Sequence, residues 1–451
     1  MSAILSEDLI VEILTWVPVK SLMRFRCVSK SWNSLIFHPA FVKLHLQHQR
    51  ASKNTHLLLR CRRDSMLNLS DEFIGPCSIR GLLENPSSTV DDACHQLHPG
   101  YFFIGSCNGL VSLLYHSRSL VRNGSIEYRV RFWNPATRIM SLNLSHLTFH
   151  SSQDHDPGFG FGYDDLSDTY KVVLLLLDIK TNNWEVRVHC LGDTDTCWRN
   201  TVTVTCPDFP LWGGRDGKLV SGTLNWLAVR WETDTVNQLV IFSYDLNMET
   251  YKYLLLPGGL SEHADNPSLG VLKGCLCLYH GQEQVRTRFV VWLMREFGVE
   301  NSWTPWLNMS FELVQLFPPW QLLAAPLCMF ENDDVMLLAN YPRSQYIFYN
   351  RRDNRIVRTE DFNDKVPLFS HDDYVQSLLK STEKANVTDT TIKDGKCCRG
   401  LARCPCVILV SARIKVKREK KKGFGRQALL YGSSSSDPEW GFDNITGWMD
   451  G

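Results

Sequence analysis

The runs "YKVVLLLLD" at residues 170–178 and "WEVRVHCL" at residues 184–191 are typical of two neighbouring β-strands. The first is a solid run of apolar residues, and the second alternates apolar with polar or charged residues. Nine further runs follow the same two patterns: "NTHLLLRC", "GLVSLLYH", "EYRVRFWN", "GTLNWLAV", "QLVIFSYD", "GCLCLYH", "RFVVWLM", "DVMLLAN" and "QYIFYN". Because no long amphipathic helix separates these runs, the sequence excludes a βαβ sheet and favours an all-β architecture.

These strands recur at a regular interval. Five apolar strands each end in an aromatic residue or a cysteine and are followed by a polar turn. These end residues are Trp133, Cys190, Tyr244, Trp292 and Tyr349, and their successive separations are 57, 54, 48 and 57 residues. Glycine-led strands begin upstream of three of these positions, at Gly109, Gly222 and Gly274. A hairpin-bearing repeat of this length is typical of a propeller blade. We therefore expect an all-β propeller of roughly six blades over residues 53–380.

The first forty-odd residues have the period of α-helices instead. Within residues 6–17, one helical face carries Leu9, Ile10, Ile13, Leu14 and Val17. Ser6 can cap this helix and Pro18 can end it. Residues 19–25 predict a second short helix. The apolar positions of a third helix are Val28, Trp32, Leu35 and Ile36, and a fourth helix should begin near Ala40. We predict a small all-α domain of three to four short helices over residues 1–50.

Composition excludes several classes of protein. The chain has 451 residues, and its 48 Lys and Arg balance its 48 Asp and Glu, so no global charge marks it for nucleic acid or membrane. Acidic residues near the start do not fit a signal peptide, and the longest apolar run, residues 172–177, is too short to span a bilayer. The chain has fifteen cysteines, an odd number, which favours reduced thiols over a framework of disulfide bonds. We expect a soluble protein of the cytoplasm, the nucleus or both.

Residues 381–451 follow neither pattern. This stretch has 13 Lys or Arg against 8 Asp or Glu, and we expect a disordered, low-complexity basic tail. Its "KVKREKKK" motif fits a nuclear localisation signal, a nucleic-acid patch or simple solvation. Its "CCRGLARCPC" motif fits an unstructured segment better than a zinc knuckle or a palmitoylation site. An alternative or mispredicted final exon would also explain this stretch.

The N-terminal region resembles the plant form of the F-box. The resemblance rests on "LSEDLIVEILTWVPVKSLMRFRCVSKSWNSLIFHPAFVKLHL" at residues 5–46, although the usual Leu-Pro start is Leu5-Ser6 here. The second region resembles the F-box-associated propeller of plant F-box proteins, in "GSCNGLVSL", "FWNPATR", "GFGFGYDDLSDTYKVV", "VSGTLNWLA", "IFSYDLNMETY" and "YVQSLL". It departs from strict kelch repeats, because the diglycines at residues 213–214 and 258–259 do not recur once per blade.

The resemblance implies a substrate-recognition subunit of a Skp/cullin/F-box (SCF) ubiquitin ligase, with no catalytic residue, cofactor or metal of its own. Its partners would be a Skp-type adaptor, through it a cullin-RING ligase, and an unidentified target protein. Three short helices cannot bury all their apolar residues, so we expect some to form a docking surface. The predicted adaptor-binding residues are Leu5, Leu9, Ile10, Ile13, Leu14, Val17, Pro18, Leu22, Val28, Ser29, Trp32 and Leu35.

The target should bind to loops at one face of the propeller, where exposed aromatic and Arg side chains are the favoured anchors. The candidates lie at strand ends or in loops, where the tryptophans could also prove to be core residues: Trp198, Arg199, Trp212, Arg215, Trp231, Trp303 and Trp306.

Other functions fit the residues less well. A helix-turn-helix DNA reader could use Lys30 and Asn33, with Arg24 and Arg26 on phosphates, but Trp32 would then occupy the recognition helix. The "GFGFGYDD" stretch lacks the spacing of a nucleotide loop, and we expect its glycines to give aromatic residues room on a blade strand. The Cys275-x-Cys277 pair fits core packing better than metal binding. No spacing places a nucleophile beside a base among the polar candidates His371, Asp372, Asp373, Asp164 and Asp165.

Overall fold

The computed structural model describes residues 6–51, 56–63, 72–84, 95–97, 101–118, 125–141, 145–150, 157–178, 180–181, 183–191, 198–205, 215–230, 238–258, 260, 264–282, 288–310, 324–330, 334–340, 345–361 and 365–380. The chain divides into two compact units, Met1–Asn386 and Val387–Gly451, and every described residue belongs to the first. The predicted basic tail, with its cysteine and lysine motifs, lies outside the described residues.

Four short helices form an N-terminal helical unit (residues 6–51): α1 (Glu7–Thr15), α2 (Val19–Phe25), α3 (Lys30–Ile36) and α4 (Pro39–Ala51). Two serines cap them. The Ser6 hydroxyl accepts a hydrogen bond from the backbone N–H of Leu9 at 3.3 Å, and the Ser29 hydroxyl accepts one from Trp32 at 3.1 Å. Each cap satisfies a donor that a helix start leaves unpaired. The prediction of a small all-α domain is confirmed.

The residues described after the helical unit form six sheets, each the blade of a propeller. Five contain four antiparallel strands and one contains five. Blade I contains β1 (His56–Arg63), β2 (Glu72–Ser78), β3 (His95–Leu97) and a strand from the far end of the chain, and the short helix α5 (Ile79–Glu84) follows β2. Blade II contains β4 (Tyr101–Cys107), β5 (Leu110–Arg118), β6 (Ser125–Asn134), β7 (Ile139–Met140) and β8 (Ser145–His150). Blade III contains β9 (Gly158–Asp164), β10 (Thr169–Asp178), β11 (Asn183–Cys190) and β12 (Arg199–Thr205).

The remaining blades repeat this arrangement. Blade IV contains β13 (Lys218–Val220), β14 (Thr223–Arg230), β15 (Gln238–Asp245) and β16 (Tyr251–Leu255). Blade V contains β17 (Ala264–Leu272), β18 (Cys275–Gln282), β19 (Arg288–Met294), the 3₁₀ turn η1 (Glu300–Ser302) and β20 (Trp303–Ser310). Blade VI contains β21 (Ala324–Phe330), β22 (Val335–Asn340), β23 (Gln345–Asn350) and β24 (Arg355–Asp361). The prediction of a propeller of about six blades is confirmed.

The final strand, β25 (Lys365–Tyr374), closes the ring. It pairs antiparallel with β1, so that His56 faces Tyr374, and it thereby becomes the first strand of blade I. Without β25, the backbone groups on that side of β1 would be unpaired, which is the usual liability of an edge strand. The closure therefore joins the two ends of the propeller sequence by hydrogen bonds.

Two kinds of tight turn connect the strands. In the first kind, a residue with positive φ precedes a glycine with positive φ, as in Asn108-Gly109, Ser221-Gly222 and Lys273-Gly274. Such pairs suit hairpins whose two central residues are both left-handed. In the second kind, the turn begins with an Asn or Asp whose side chain accepts hydrogen bonds from the backbone N–H groups two or three residues later. The fifth residue of the turn, counted from that Asn or Asp, has positive φ. The fifth residues are Arg138, Asp168, Glu249 and Asn354.

The glycines of "GFGFGYDD" lie on β9 where blade III meets blade IV. A methyl group at Gly160 would approach the Leu224 side chain and, at 3.1 Å, the Trp226 ring. At Gly162 it would collide with Leu246 and Leu219. The expectation that these glycines give aromatic residues room on a blade strand is confirmed at Gly160, which faces Trp226, whereas Gly162 makes room for two leucines.

Candidate interaction surfaces

Several large apolar side chains of the helical unit remain exposed. On α1 and its C-cap, the exposed fractions are 41% for Leu9, 49% for Ile13 and 64% for Trp16, and Val28, before α3, is 65% exposed. The indole of Trp16 contacts His48 of α4 edge-on, with ring centroids 4.5 Å apart. We call these four residues the apolar face of the helical unit. Leu9, Ile13 and Trp16 share one side of α1, since they are four and three residues apart, and exposed apolar side chains of this kind commonly mark a docking surface.

The opposite side of the same helices forms a closed core. Leu14 and Leu22 are buried there, with Val19, Ile36, Phe41 and Val42. The interpretation of Leu14 and Leu22 as partner-contacting residues therefore needs correction, since both side chains are already covered by this chain. Helix α4 and Leu378, which follows β25, supply that cover. The apolar period of α1 does not indicate that either of them packs against it.

The other predicted docking residues have mixed environments. Ile10, Val17, Trp32 and Leu35 are partly buried against the same core, whereas Pro18 and Ser29 are exposed. Ser29 acts as the cap of α3. Leu5 lies outside the described residues. Trp16 was not among the predicted docking residues, yet it lies seven residues after Leu9 and three after Ile13, a spacing that places all three on one side of a helix.

The helical unit is fixed to the propeller by the residues that follow β25. Leu378 is fully buried in the core of the helical unit, and Leu379 packs against it. The Lys380 ammonium group lies 5.3 Å from the centroid of the Phe37 ring. We call residues 375–380 the strap. Because the strap continues from the closing strand, ring closure and attachment of the helical unit depend on the same segment.

Polar contacts join α4 to turns of blades II and III. Lys43 pairs with Asp168 at 2.7 Å, although both side chains are more than half exposed, and Arg50 donates a hydrogen bond to the Asn108 side chain. Exposed pairs of this kind contribute little free energy, on the order of 0–1 kcal/mol. Their effect is to define which turns the helical unit covers.

Asn134 connects a propeller turn to the strap. Its side-chain oxygen accepts hydrogen bonds from the N–H groups of Ala136 (3.0 Å) and Thr137 (3.3 Å). Its amide nitrogen donates to the carbonyl oxygens of Ser377 (3.0 Å) and Leu379 (2.8 Å). Aspartate could make the turn but could not donate to the strap. The "FWNPATR" motif thus supports both the blade and the orientation of the helical unit.

The predicted target anchors divide into three groups. Trp198, Trp303 and Trp306 are buried in the cores between strands, so their placement supports the alternative that they are core tryptophans. Arg199 is half-exposed and pairs with Glu249 at 2.9 Å, and Arg215 is exposed. Trp212 and Trp231 lie outside the described residues.

The described residues contain no cluster of three or more His, Cys, Asp or Glu residues that could hold a metal ion. Cys277 lies in the core of blade V, where burial raises the pKa of its thiol to about 12, and Cys275 is partly exposed. Asp164 is engaged with Lys171 at 2.8 Å, and Asp165 is exposed. The side chains of His371, Asp372 and Asp373 lie outside the described ones. Within the described segments, no helix combines the length and apolar character needed to cross a membrane.

Comparisons with known proteins identify both regions. Residues 3–44 match the F-box domain, and residues 80–379 match the F-box associated beta propeller domain. An F-box/kelch-repeat protein of Arabidopsis thaliana is 29% identical over 310 residues, covering 67% of this chain and 78% of that protein. The F-box protein CPR1 of Arabidopsis thaliana is 27% identical over 330 residues, covering 67% and 72%.

Among solved structures, a chain of a nidogen/laminin complex covers 72% of this chain and 99% of its own, with 13% identity and a TM-score of 0.35, a similarity too weak to support a conclusion. The family match does not depend on it, because the propeller family alone spans more than half of the chain. The chain therefore belongs to the F-box proteins that carry an F-box associated beta propeller domain.

Proposed function

We propose that this protein is the substrate-recognition subunit of an SCF ubiquitin ligase. The helical unit would dock on a Skp-type adaptor, and the propeller, residues 53–380, would hold a target protein. The observation that carries the proposal is the apolar face, which is exposed on a helical unit fixed to the propeller by the strap. An adaptor that covers Leu9, Ile13, Trp16 and Val28 would remove their apolar surface from water.

The chemistry would take place on other subunits. The cullin-RING assembly and its ubiquitin-conjugating enzyme would transfer ubiquitin, while this chain would raise the effective concentration of target lysines near the thioester. The strap and the contacts of α4 support this role, because a fixed helical unit restricts where a bound target can lie. We place this activity in the cytoplasm, the nucleus or both.

The proposal is tested by charging the apolar face. In the full chain, Leu9→Asp combined with Ile13→Asp would bury two carboxylates at the adaptor interface, which costs several kcal/mol. We expect at least about a 100-fold loss of affinity for a purified Skp-type adaptor, measured by calorimetry, with an unchanged melting temperature. The matched control is Val299→Asp with Val357→Asp, since these propeller residues are 41% and 54% exposed.

Two results would count against the proposal. One is normal adaptor binding by the folded Leu9/Ile13 variant, and the other is an equal loss in the control variant. The same proteins should be mixed with nonspecific duplex DNA over a range of salt concentrations. Salt-sensitive DNA binding that is lost with Lys30→Ala and Arg26→Ala, without any adaptor binding, would instead support the helix-turn-helix alternative.

A further inference from the structure

A surface cavity of about 460 Å³, open to solvent, lies where blade V meets blade VI. Its floor is the Trp306 indole, which is buried between the blades. Its rim is the turn between β23 and β24, together with Asp334, the residue just before β22. The lining residues are Trp306, Leu307, Asn308, Asp334, Tyr349, Arg351, Arg352 and Asn354.

Arg351 is held over the floor of this cavity. Its guanidinium carbon lies 4.5 Å from the centroid of the Trp306 ring, a cation–π arrangement, and its backbone N–H donates to the Asp334 carbonyl oxygen at 2.7 Å. Within the part of the chain that the structure describes, no carboxylate pairs with the Arg351 guanidinium. Stacking on an indole leaves the in-plane N–H donors of a guanidinium available to an oxyanion.

The neighbouring charges reinforce this arrangement. Arg352 is mostly exposed and lies 3.7 Å from the Asp334 carboxylate, a distance that makes only a loose pair. The rim itself is fixed, because the Tyr349 hydroxyl donates to Asn354 and the Asn350 side chain accepts from the N–H of Asp353. Among the described lining residues, Asp334 offsets one of the two arginines, which leaves one positive charge in excess. Asp353 of the same turn pairs with Arg355 instead.

We propose that this cavity recognises an anionic side chain, a carboxylate or a phosphoryl group, on the target protein. The proposal rests on the function proposed above and specifies the chemical class of the target segment. Arg351 donates two parallel hydrogen bonds to the oxyanion, and Arg352 adds charge at the rim. A single cavity of this volume accommodates one or two side chains of an extended peptide.

The test uses the full chain and three fluorescein-labelled peptides: hexaglutamate, hexaglutamine, and a Gly-Ser peptide with one phosphoserine. Binding is measured by fluorescence anisotropy at low and physiological salt. We expect the chain to bind the hexaglutamate or the phosphoserine peptide, and to discriminate against hexaglutamine. Arg351→Gln should weaken that binding about tenfold or more, because a charge-assisted, bidentate contact is lost.

The matched control is Arg358→Gln. Arg358 also stacks on an aromatic ring, that of Phe348 at 4.1 Å, and carries the same charge, but it does not line the cavity. It should retain wild-type peptide affinity. Which of the two anionic peptides binds more tightly decides whether the site favours carboxylate or phosphoryl groups.

Three outcomes would overturn the assignment: no binding of either anionic peptide, equal binding of hexaglutamine, or equal losses in the two arginine variants. Binding of the Skp-type adaptor is measured on the same proteins. Adaptor binding without peptide binding rejects the anion site and leaves the proposed ligase role intact. Peptide binding without adaptor binding rejects the ligase role and retains the site.

Discussion

The side chain of Lys171 is only 5% exposed, yet it carries a positive charge into the contact between blades III and IV. Its ammonium group lies 2.8 Å from Asp164 and 2.7 Å from Glu249, and donates to the Leu246 carbonyl oxygen at 2.6 Å. Arg199 pairs with Glu249 from the exposed side. A buried charge is tolerated when it is paired and fully hydrogen-bonded, so this network specifies how the two blades meet.

Protonation of Asp164 should couple this network to pH. Burial by itself raises the pKa of Asp164, but hydrogen bonds from Lys171, Ser167 and Leu166 outweigh it and lower the pKa to about 2, from a usual 3.8. Because the folded pKa is the lower one, the ionised carboxylate stabilises the fold above about pH 4. That contribution is lost as the pH falls from about 4 to about 2.

We predict that Lys171→Met lowers the free energy of unfolding at pH 7 by about 3–5 kcal/mol, because it leaves Asp164 buried without its partner. It should also weaken the loss of stability between pH 4 and pH 2. Urea unfolding at several pH values measures both effects. The control Arg355→Ala removes an exposed pair with Asp353 and should cost on the order of 0–1 kcal/mol. Equal losses in the two variants would contradict the role of Lys171.

Among the elements, the hairpin turns show how much local sequence can specify. The pairs Asn108-Gly109, Ser221-Gly222 and Lys273-Gly274 each place two left-handed residues between a first and a second strand. The predicted strand starts at these three glycines are one residue early: the strands begin at Leu110, Thr223 and Cys275, and the glycines belong to the turns. The atoms that surround each glycine differ, however, and the sequence next to a glycine does not show what packs against it.

Two equivalent glycines should therefore respond differently to the same substitution. Gly109 has φ +81° and a Cβ there would collide with the Val375 carbonyl oxygen and the Ser377 side chain. Gly274 has φ +72°, and nothing lies within 4 Å of a Cβ there. Gly274→Ala should cost about 1 kcal/mol through backbone strain alone, while Gly109→Ala should cost at least about 2 kcal/mol more by displacing the strap.

Thermal unfolding and proteolysis of the helical unit measure the two effects separately. We expect Gly109→Ala to increase cleavage within the helical unit, because the strap carries Leu378 into its core. Gly274→Ala should leave that cleavage unchanged. Equal stability losses with equal cleavage would show that the strap does not depend on the approach of Gly109.

The strands themselves were predicted unevenly. The eleven apolar runs of the sequence correspond to the second strands of all six blades and the third strands of five. These central strands are covered on both faces and pair on both edges, so they need apolar side chains throughout. Outer strands such as β7 and β24 carry short or half-exposed patterns, because one edge faces solvent. Their sequences therefore lack a strong strand signal.

At the scale of the whole molecule, closure depends on a pairing between the two ends of the propeller. The described part of β25 forms hydrogen bonds with β1, and its continuation enters the core of the helical unit. Such a long-range pairing is entropically costly to form early in folding. Once formed, it fixes both the ring and the position of the apolar face.

Removing the closing strand should thus abolish cooperative folding. A chain truncated after residue 364 lacks β25 and the strap, which leaves β1 as an open edge and removes Leu378 from the helical core. A chain truncated after residue 386 keeps the first compact unit entire and serves as the control. Circular dichroism during heating should show one sharp transition only for the control. A sharp transition in the shorter chain would contradict the proposed closure.

The sequence by itself determined the helical unit, the propeller class, the central strands and the glycines next to the starts of three of them. Each of these follows from a local rule: the 3.6-residue period, the burial of both faces of a central strand, or a backbone conformation that favours glycine. Such rules act over a few residues, and so they can be recognised without knowing the fold.

Only the tertiary structure decided which apolar residues remain exposed. Leu14 and Ile13 are adjacent in one amphipathic helix, but α4 and Leu378 cover the first and leave the second open. Trp306 is similarly a core residue because Arg351 and blade VI close over it. Burial depends on what packs from elsewhere in the chain, and period and composition carry no information about that cover.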